Sequence, residues 1–435
     1  RMRSDTLQLT GEFDLGAVDL KSYTQYREEE VTQHTEGDYS SYAVLSLGLP
    51  DRSKIMSQEL VINSKPGGRL QYSGGLFLFR QKVDAEVKLA APFAAAYGLA
   101  PDAATLFDFS ATGAKVSTYA LFADVTYEAV DNVFITGGLR ASRDEVKGVY
   151  YQTFPGVPDM LTYQPDRKDD KVTPRVVVRY KPSNESSIYA SFSKGYKSAI
   201  PDYRSTSGKP YLEPENVDAW EMGAKYGTGR LSAEIAGFLY NYKNLQNGYY
   251  VSGATILSNA AKARIKGVEA SLRYDFGGGF ELSASGTYVD AKYRNFDVAG
   301  YFDPILSRDL DGDGRLDFEG LDTSNTVSAA GNRVQQAPKF SGTISARHVT
   351  DLSGGKLTSS ANLFHTSRIY YDAANQFSQG SYNILSARVE WTAPSERWSV
   401  AVFGDNLFDE TYRTQFQVGT SGVGLIYGEP RTYGV

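Results

Sequence analysis

The feature that most constrains this chain is a two-residue alternation of apolar and polar side chains. In Leu385–Trp391 every second residue is apolar and the residues between them are Ser, Arg and Glu. Trp220–Tyr226, Leu231–Ile235 and Val268–Phe276 repeat the pattern. In a β-strand this period places apolar side chains on one face and polar side chains on the other. The chain is therefore predicted to be all-β, with one apolar face to its sheet.

The connections between these segments follow a rule. Short turns rich in Gly, Pro, Asn, Asp or Ser fall near 15–17, 65–68, 130–131, 182–185, 227–229, 277–279, 352–355 and 394–396. Longer polar segments alternate with them, at 35–56, 89–114, 152–170, 200–215, 246–257, 295–338, 374–380 and 419–430. A soluble antiparallel sheet would also have one apolar face, but nothing in its fold requires short turns and long segments to alternate. Outer-membrane barrels keep it, with short turns at one rim and long loops at the other.

Composition agrees with this fold class. The 435 residues include 42 Gly, 31 Tyr and 22 Phe, which is typical of a large turn-rich β structure. The net charge of -6 gives no general case for nucleic-acid binding. The absence of Cys excludes disulfides, thiolate metal sites and cysteine nucleophiles. The chain contains no run of about 18 apolar residues, so no membrane-spanning helix is predicted.

Counting segments between connections gives about 17 strands, and bacterial single-chain barrels have even strand numbers. The predicted fold is a transmembrane, antiparallel, up-and-down β-barrel that is only partly contained in this chain. Trp391, Trp398, Tyr274 and Tyr226, which lie near strand ends, are expected to form an interfacial aromatic girdle.

Several motifs, taken in order, resemble those of the TonB-dependent receptor family. They are Ser57–Leu60 with Leu76–Phe79, Ser193–Ser198, Leu212–Val217 running into Trp220–Lys225, Asn259–Ala263 with Gly267–Glu269, Gln336–Phe340, Asp405–Tyr412 and Glu429–Gly434. One such motif would be weak evidence, but their order and spacing extend over most of the chain.

The resemblance implies a barrel of about 22 strands with an N-terminal plug domain and a TonB-contacting box. Neither the plug nor about five of the strands is visible here, so residues 1–435 are expected to be a partial barrel with a long extracellular loop at about 295–338. The implied function is import of a scarce, bulky nutrient, such as a siderophore, cobalamin or a saccharide, across a Gram-negative outer membrane. Its implied partners are outer-membrane lipid and TonB, with ExbB and ExbD, acting through the plug.

Two rival functions remain open from the residues alone. The chain could form a passive or structural barrel that needs no TonB. An outer-membrane enzyme is a third hypothesis, but His34, His348 and His365 show no metal-ligand spacing, and no nucleophile-elbow pattern supports it. The sequence therefore predicts no catalytic residue and no required cofactor.

One loop has a metal-binding pattern. Asp309, Asp311 and Asp313, followed by Gly314, resemble the start of an EF-hand-type calcium loop, with Arg315 offering its carbonyl oxygen and Asp317 a further ligand. Position 12 of an EF-hand loop, counted from Asp309, normally carries an acidic residue but is Gly320 here. A solvated acidic loop tip is therefore the alternative. Binding of Ca²⁺ would order the loop rather than support catalysis.

Ligand contacts are predicted where aromatic and cationic residues fall near the rim with the long loops. The candidates are Tyr203, Arg204, Tyr249, Tyr250, Tyr370 and Tyr371. Aromatic faces suit sugars, catecholates or corrinoids, and Arg suits anions. The alternative role for the tyrosines is an upper interfacial girdle.

Overall fold

The computed structural model describes residues 1–36, 46–90, 105–154, 157–163, 166–201, 211–251, 254–308, 317–419 and 422–435. Within these ranges every regular element is a β-strand. No α-helix with the length and hydropathy of a membrane span occurs among the described residues.

The strands, in chain order, are β1 (Met2–Asp14), β2 (Val18–Glu36), β3 (Ser46–Ser64), β4 (Leu70–Ala90), β5 (Thr105–Val130), β6 (Val133–Phe154), β7 (Val157–Tyr163), β8 (Asp166–Tyr180), β9 (Ser186–Lys197), β10 (Ile200–Pro201), β11 (Tyr211–Leu212), β12 (Glu215–Gly227), β13 (Leu231–Val251), β14 (Ala254–Gly277), β15 (Phe280–Asn295), β16 (Ala299–Arg308), β17 (Asp317–Val327), β18 (Phe340–Leu352), β19 (Gly355–Thr366), β20 (Ile369–Tyr370), β21 (Ser378–Gln379), β22 (Tyr382–Thr392), β23 (Ser399–Asp405), β24 (Arg413–Gly419), β25 (Gly422–Tyr427) and β26 (Thr432–Gly434).

One sheet of 18 strands dominates the described residues. Short β7 pairs with the end of β6, and the other strands of the sheet form an antiparallel meander in which each pairs with the next one along the chain. Four two-stranded hairpins, β10–β11, β16–β17, β20–β21 and β24–β25, lie in connections outside this sheet. The predicted up-and-down antiparallel topology is confirmed.

The face that carries the apolar residues of the alternation, here called the outer face, is exposed. Met222 of β12 retains 66% of its accessible surface and Leu121 of β5 retains 64%. In water such a continuous apolar surface would drive association, so its exposure on strand after strand indicates contact with lipid. We call this band of side chains the apolar belt. Trp391 and Trp398 pack at 5.2 Å beside a tight turn, and the Trp391 indole N–H donates to the Leu352 carbonyl oxygen.

The opposite, inner face is polar. Tyr189 and Tyr240 donate hydrogen bonds to the Glu221 carboxylate at 2.7 and 3.4 Å. A cavity of about 490 Å³ lies beside these residues, and Glu234 and Glu269 also line it. The polar positions of the alternation therefore face an interior that accommodates water and charge.

The predicted tight turns are confirmed. At Gly277–Gly279 three successive glycines have positive φ, a conformation that side chains with a Cβ rarely adopt. A Cβ on Gly279 would lie 1.9 Å from the carbonyl oxygen of Val349. Gly is therefore required where this turn meets β18.

The loops predicted from the long polar segments are longer than the connections in the structure, because several of their residues belong to strands. Segment 35–56 contains much of β3, and 246–257 lies almost wholly in β13 and β14. Polar residues on both faces do not stop a hairpin, because the ladder hydrogen bonds come from the backbone. The strands consequently run well past the apolar belt: β5 has 26 residues, whereas about 9–11 span a bilayer.

Candidate ligand-binding rim

Three neighbouring connections meet at the long-loop end of the sheet. They are 296–339 between β15 and β18, 367–381 between β19 and β22, and 406–431 between β23 and β26. A buried apolar cluster anchors the first two to the sheet; it consists of Ala261, Ala263, Tyr293, Phe296, Ala299, Ala329 and Ala373. Small alanines let these backbones approach Tyr293 and Phe296 closely, so the loop bases form a packed platform.

Hydrogen bonds fix the register of the first two connections. The Asn375 side chain accepts from the Arg333 N–H at 2.9 Å and donates to the Arg333 carbonyl oxygen at 3.0 Å. Gln376 forms the same reciprocal pair with the backbone of Phe302 at 2.9 and 3.0 Å. A side-chain amide carries both a donor and an acceptor, so one residue satisfies both groups of a loop backbone.

Asp372 holds the turn that presents the site. Its carboxylate accepts from the backbone N–H of Phe377 at 2.7 Å and of Gln376 at 3.0 Å. Burial raises the pKa of the Asp372 carboxyl, and these N–H donors act in the opposite direction. The two N–H donors therefore fix the turn to a carboxyl group that is partly removed from water, and burial favours its protonated form.

Aromatic side chains from the three connections pack above this platform. Phe416 lies 4.9 Å from Tyr371 and 5.7 Å from Phe377, measured between ring centroids, and Phe377 lies 5.7 Å from Phe302. Tyr382 and Tyr412 stack beside them at 4.5 Å. We call Phe302, Tyr371, Phe377, Tyr382, Tyr412, Arg413 and Phe416 the rim cluster.

The rim cluster includes a cation with unused hydrogen-bonding capacity. The Arg413 guanidinium carbon lies 5.8 Å from the Phe416 ring centroid, within cation–π range. In the described part of the chain, the Nε–H of Arg413 and one Nη of Arg333 are buried without a hydrogen-bond acceptor. Buried donors of this kind are costly, and an anionic ligand would satisfy them.

A second polar group lies where β8 meets the segment before β12. The Arg167 guanidinium stacks 3.9 Å over the Tyr211 ring and pairs with Asp169 at 2.8 Å and Glu213 at 3.0 Å. Asn259 accepts from the Glu213 N–H at 2.6 Å. These charges satisfy one another, so this group braces the rim rather than offering a free cation.

The predicted contact residues are distributed unevenly over this geometry. Tyr371 belongs to the rim cluster, and Tyr370 lies next to it in β20. Tyr249 and Tyr250 end β13 in backbone pairing with Ile256 and Thr255, and their side chains are outside the described atoms. Tyr203 and Arg204 lie outside the described residues.

The predicted calcium loop is hardly covered by the structure. Asp309, Asp311, Asp313 and Arg315 lie outside the described residues, and only the backbone of Asp317, at the start of β17, is described. Among the described side chains, no group of three or more His, Cys, Asp or Glu could hold a metal. The calcium hypothesis stays a prediction.

Sequence reasoning missed most of the rim cluster. Arg413 and Phe416 directly follow the Asp405–Tyr412 motif, and that adjacency was the available signal. Phe377 and Tyr382 are single aromatics in polar surroundings. Nothing in their local sequence indicates that they meet residues from another connection.

A comparison with protein families matches residues 1–407 to the model described as TonB dependent receptor-like, beta-barrel. The chain belongs to the TonB-dependent receptor family. A relative is the pesticin receptor of Yersinia enterocolitica, which is 28% identical over 339 residues, covering 77% of this chain and 45% of that receptor. The chain thus spans less than half the length of this relative.

Solved structures of TonB-dependent receptors share the fold. The ferric yersiniabactin uptake receptor of Yersinia pestis superposes with a TM-score of 0.81 at 22% identity, covering 99% of this chain and 60% of that one. A siderophore receptor of Acinetobacter baumannii gives 0.72 at 17% identity, covering 99% and 63%. The exposed apolar belt is therefore the lipid-facing wall of a β-barrel in a Gram-negative outer membrane.

Proposed function

We propose that the receptor containing this barrel binds a bulky ferric siderophore at its extracellular rim and imports it with energy supplied through TonB. The observation that carries the proposal is the rim cluster. It combines stacked aromatic rings with the buried, unsatisfied Nε–H of Arg413. Aromatic faces and an arginine donor suit a large anionic chelate that carries aromatic rings.

The relatives support this choice within the broader set of nutrients. One relative is named a pesticin receptor, another is a probable TonB-dependent siderophore receptor, and a structural neighbour takes up ferric yersiniabactin. Iron chelates recur among these names. None of these three names mentions cobalamin or a saccharide, which the sequence also allowed.

In the proposed mechanism the three connections hold the rim cluster in place before ligand arrives. Tyr203, Arg204, Tyr249, Tyr250 and Tyr370 are proposed as further contacts around it. Release into the barrel follows when TonB, with ExbB and ExbD, acts on a plug domain. The steps are binding and gated passage, with no covalent chemistry on the ligand.

Equilibrium binding and uptake test the proposal. Ferric yersiniabactin is the first probe, measured by quenching of intrinsic fluorescence in the purified receptor and by uptake of radiolabelled iron. Arg413→Ala with Phe416→Ala is expected to raise Kd about tenfold or more, since a charge-assisted hydrogen bond and an aromatic contact are lost. Arg397→Ala, at a tight turn on the opposite rim, is the matched control.

Two results would contradict the proposal. Equal Kd values in the rim double variant and the control would remove the rim cluster from the site. Uptake at an unchanged rate in a strain lacking TonB would favour the passive barrel.

A further inference from the structure

Backbone pairing between the neighbouring strands β8 and β9 is incomplete. It ends at Arg175, which lies opposite Ser193. Toward the long connections, residues 166–174 of β8 continue beside β6 and residues 194–197 of β9 continue beside β12, but in the described part of the chain no ladder joins these two segments. Pro174, which has no N–H for a ladder bond, is the first residue beyond the last pair. We call the interval between 166–174 and 194–197 the seam.

The upper ends of β9 and β12 overlap the inner side of β6 and β8 at the seam. Tyr196 and Asn216 lie opposite each other and, by alternation, share the outer face of these strands with Trp220. They nevertheless contact inward-facing side chains. The Tyr196 hydroxyl donates to the carboxylate of Asp144 in β6, and the Lys171 ammonium of β8 donates to the Asn216 side-chain oxygen at 3.3 Å. An outer face meets an inner face in this way only where one part of the wall passes inside the other.

Burial on β6 agrees with this overlap. Ser142, Asp144 and Val146 are alternate residues of its inner face, and they retain only 7%, 5% and 5% of their accessible surface. Thr136 and Arg140 occupy the same face nearer the tight turns, where they are half-buried. The inner face of β6 is therefore covered at the seam and less covered below it.

Asp144 is the ionisable group that the overlap encloses. Its carboxylate accepts hydrogen bonds from the hydroxyls of Thr118, at 2.6 Å, and Tyr196. Among the described residues no cation lies within ion-pair distance of it. A buried carboxylate without a cationic partner carries a desolvation cost, which water would remove if the seam opened. The Tyr196 hydroxyl opposes that opening because its hydrogen bond to Asp144 crosses the seam.

Side chains, rather than a ladder, hold the two parts of the wall together. Arg167 of β8 pairs with Glu213 at 3.0 Å and stacks over the Tyr211 ring at 3.9 Å, and both partners precede β12. The hydrogen bonds of Lys171 and Tyr196 also cross the seam. Partly exposed side-chain pairs contribute little individually, whereas β12 and β13 are joined by backbone pairing along their shared length. Separation at the seam thus breaks fewer and weaker interactions than separation of a complete strand pair.

The position of the seam relative to the membrane permits this separation. Below the seam, Val176 and Phe192 lie opposite each other on the outer face within the apolar belt, where the ladder is intact. Beside the seam, the outward residues Asp170 and Lys194 are charged, and their side chains are 66% and 52% exposed. Unpaired backbone groups are costly in lipid but form hydrogen bonds with water outside it. The seam is therefore free to open above the bilayer while the wall within the bilayer stays closed.

We propose that the seam opens to widen the upper barrel as a bulky ligand passes from the rim into the lumen, and that Tyr196 is its latch. The inference rests on the proposed import of a ferric siderophore. Because the overlap places the ends of β9 and β12 inside the wall, their outward movement enlarges the lumen. The motifs Ser193–Ser198 and Leu212–Val217 supply Tyr196, Glu213 and Asn216, so most of the residues that fasten the seam lie in segments that the sequence singled out.

Alkylation of a buried thiol measures opening without any ligand. Residues 1–435 contain no Cys, so Ser142→Cys supplies their only thiol, beneath the overlap. Its alkylation by a maleimide in the purified, folded receptor depends on opening of the seam. Tyr196→Phe removes the hydrogen bond to Asp144 and is expected to raise the alkylation rate about fivefold or more. Ala291→Cys, a buried position on β15 away from the seam, is the control and is expected to react equally with and without the Tyr196 hydroxyl.

A cross-link across the seam tests its role in import. Lys171→Cys with Asn216→Cys, joined by a short bifunctional methanethiosulfonate, holds the overlap closed. We expect ferric yersiniabactin to bind with a Kd within about twofold of that of the unlinked receptor, and iron uptake to fall about tenfold or more until a reductant cleaves the link. Val177→Cys with Ser191→Cys, a register pair in the intact ladder below the seam, is the matched control and is expected to leave uptake unchanged. Intact mass verifies each link, and gel mobility of the unheated protein verifies that each variant is folded.

Equal alkylation rates of Ser142→Cys with and without the Tyr196 hydroxyl would show that the overlap is rigid and would overturn the proposal. Full uptake by the receptor cross-linked at the seam would overturn it as well. If the unlinked receptor binds no ferric yersiniabactin, the proposed function fails, and the alkylation rates still decide whether the seam opens.

Discussion

The phenolic hydroxyl of Tyr371 donates a 2.8 Å hydrogen bond to the backbone carbonyl oxygen of Arg413. The two residues belong to different connections, and this bond joins them across the rim cluster. The Arg413 N–H in turn donates to the Gln379 side chain at 2.9 Å. The position of the Arg413 guanidinium thus depends on the connection that follows β19.

Removing the hydroxyl of Tyr371 separates two roles of this residue, the positioning of Arg413 and the aromatic contact of its ring. Tyr371→Phe keeps the ring against Phe416 but loses the bond to Arg413, so we expect a loss of about 1 kcal/mol in ferric siderophore binding. Tyr371→Ala also loses the aromatic contact and is expected to bind more weakly still. Calorimetric Kd values measure both effects. A Tyr371→Phe variant as weak as Tyr371→Ala would show that the ring has no role.

Acidification is expected to tighten the turn held by Asp372. Its pKa is raised in the folded protein, so the folded turn binds a proton more readily than the unfolded chain does. The stabilisation associated with that proton is complete below the unfolded value of 3.8 and is lost as pH rises through the folded pKa. Hydrogen exchange at the Gln376 and Phe377 amides should therefore show greater protection at about pH 4 than at about pH 7.

Asp372→Asn provides the control for that measurement. The amide retains a carbonyl acceptor for one loop N–H but cannot titrate, so its protection should be independent of pH after correction for intrinsic exchange. The same pH response in the wild type and in Asp372→Asn would assign the effect to another group.

The turn at Gly277–Gly279 offers a matched pair of substitutions. Gly279→Ala places a Cβ against the Val349 carbonyl oxygen in a backbone conformation of φ +81, so we expect destabilisation by roughly 2–4 kcal/mol. A Cβ on Gly278 would meet no atom within 4 Å, and Asn tolerates positive φ, so Gly278→Asn is expected to cost much less. Thermal unfolding in detergent measures both variants. Equal midpoints would contradict the steric argument.

The acidic loop predicted to bind Ca²⁺ can be tested directly. If Asp311 and Asp313 are ligands, Asp311→Asn with Asp313→Asn should abolish the stoichiometric uptake of Ca²⁺ seen by calorimetry. Asp322→Asn is a suitable control, since Asp322 already accepts hydrogen bonds from Ser324 and Asn325. An absence of Ca²⁺ uptake by the wild type would contradict the calcium hypothesis and support the alternative of a solvated acidic loop tip.

Much of the architecture follows from local sequence. The alternation in Trp220–Tyr226 assigned the lipid-facing side of β12 because a strand turns successive side chains to opposite faces. The glycines at 277–279 marked a tight turn because few other residues adopt positive φ. Both inferences need only a few neighbouring residues.

The limits of the long connections were harder to predict. Polar residues on both faces of β13 looked like a loop, yet the strand continues to Val251. Backbone pairing with β14 extends it, and the strength of that pairing depends on a partner that the local sequence does not contain. The overhang beyond the membrane was therefore underestimated.

By itself the sequence determined the strand pattern, the order of short and long connections and the family, because these depend on local periodicity and on motifs in order along the chain. The tertiary structure decided which residues meet. Tyr371 contacts Phe416, and Lys82 lies opposite Lys115, because strand register and loop packing bring together residues that are far apart in the chain. Contacts of this kind arise when strands pair and the connections fold together, and no segment read alone contains them.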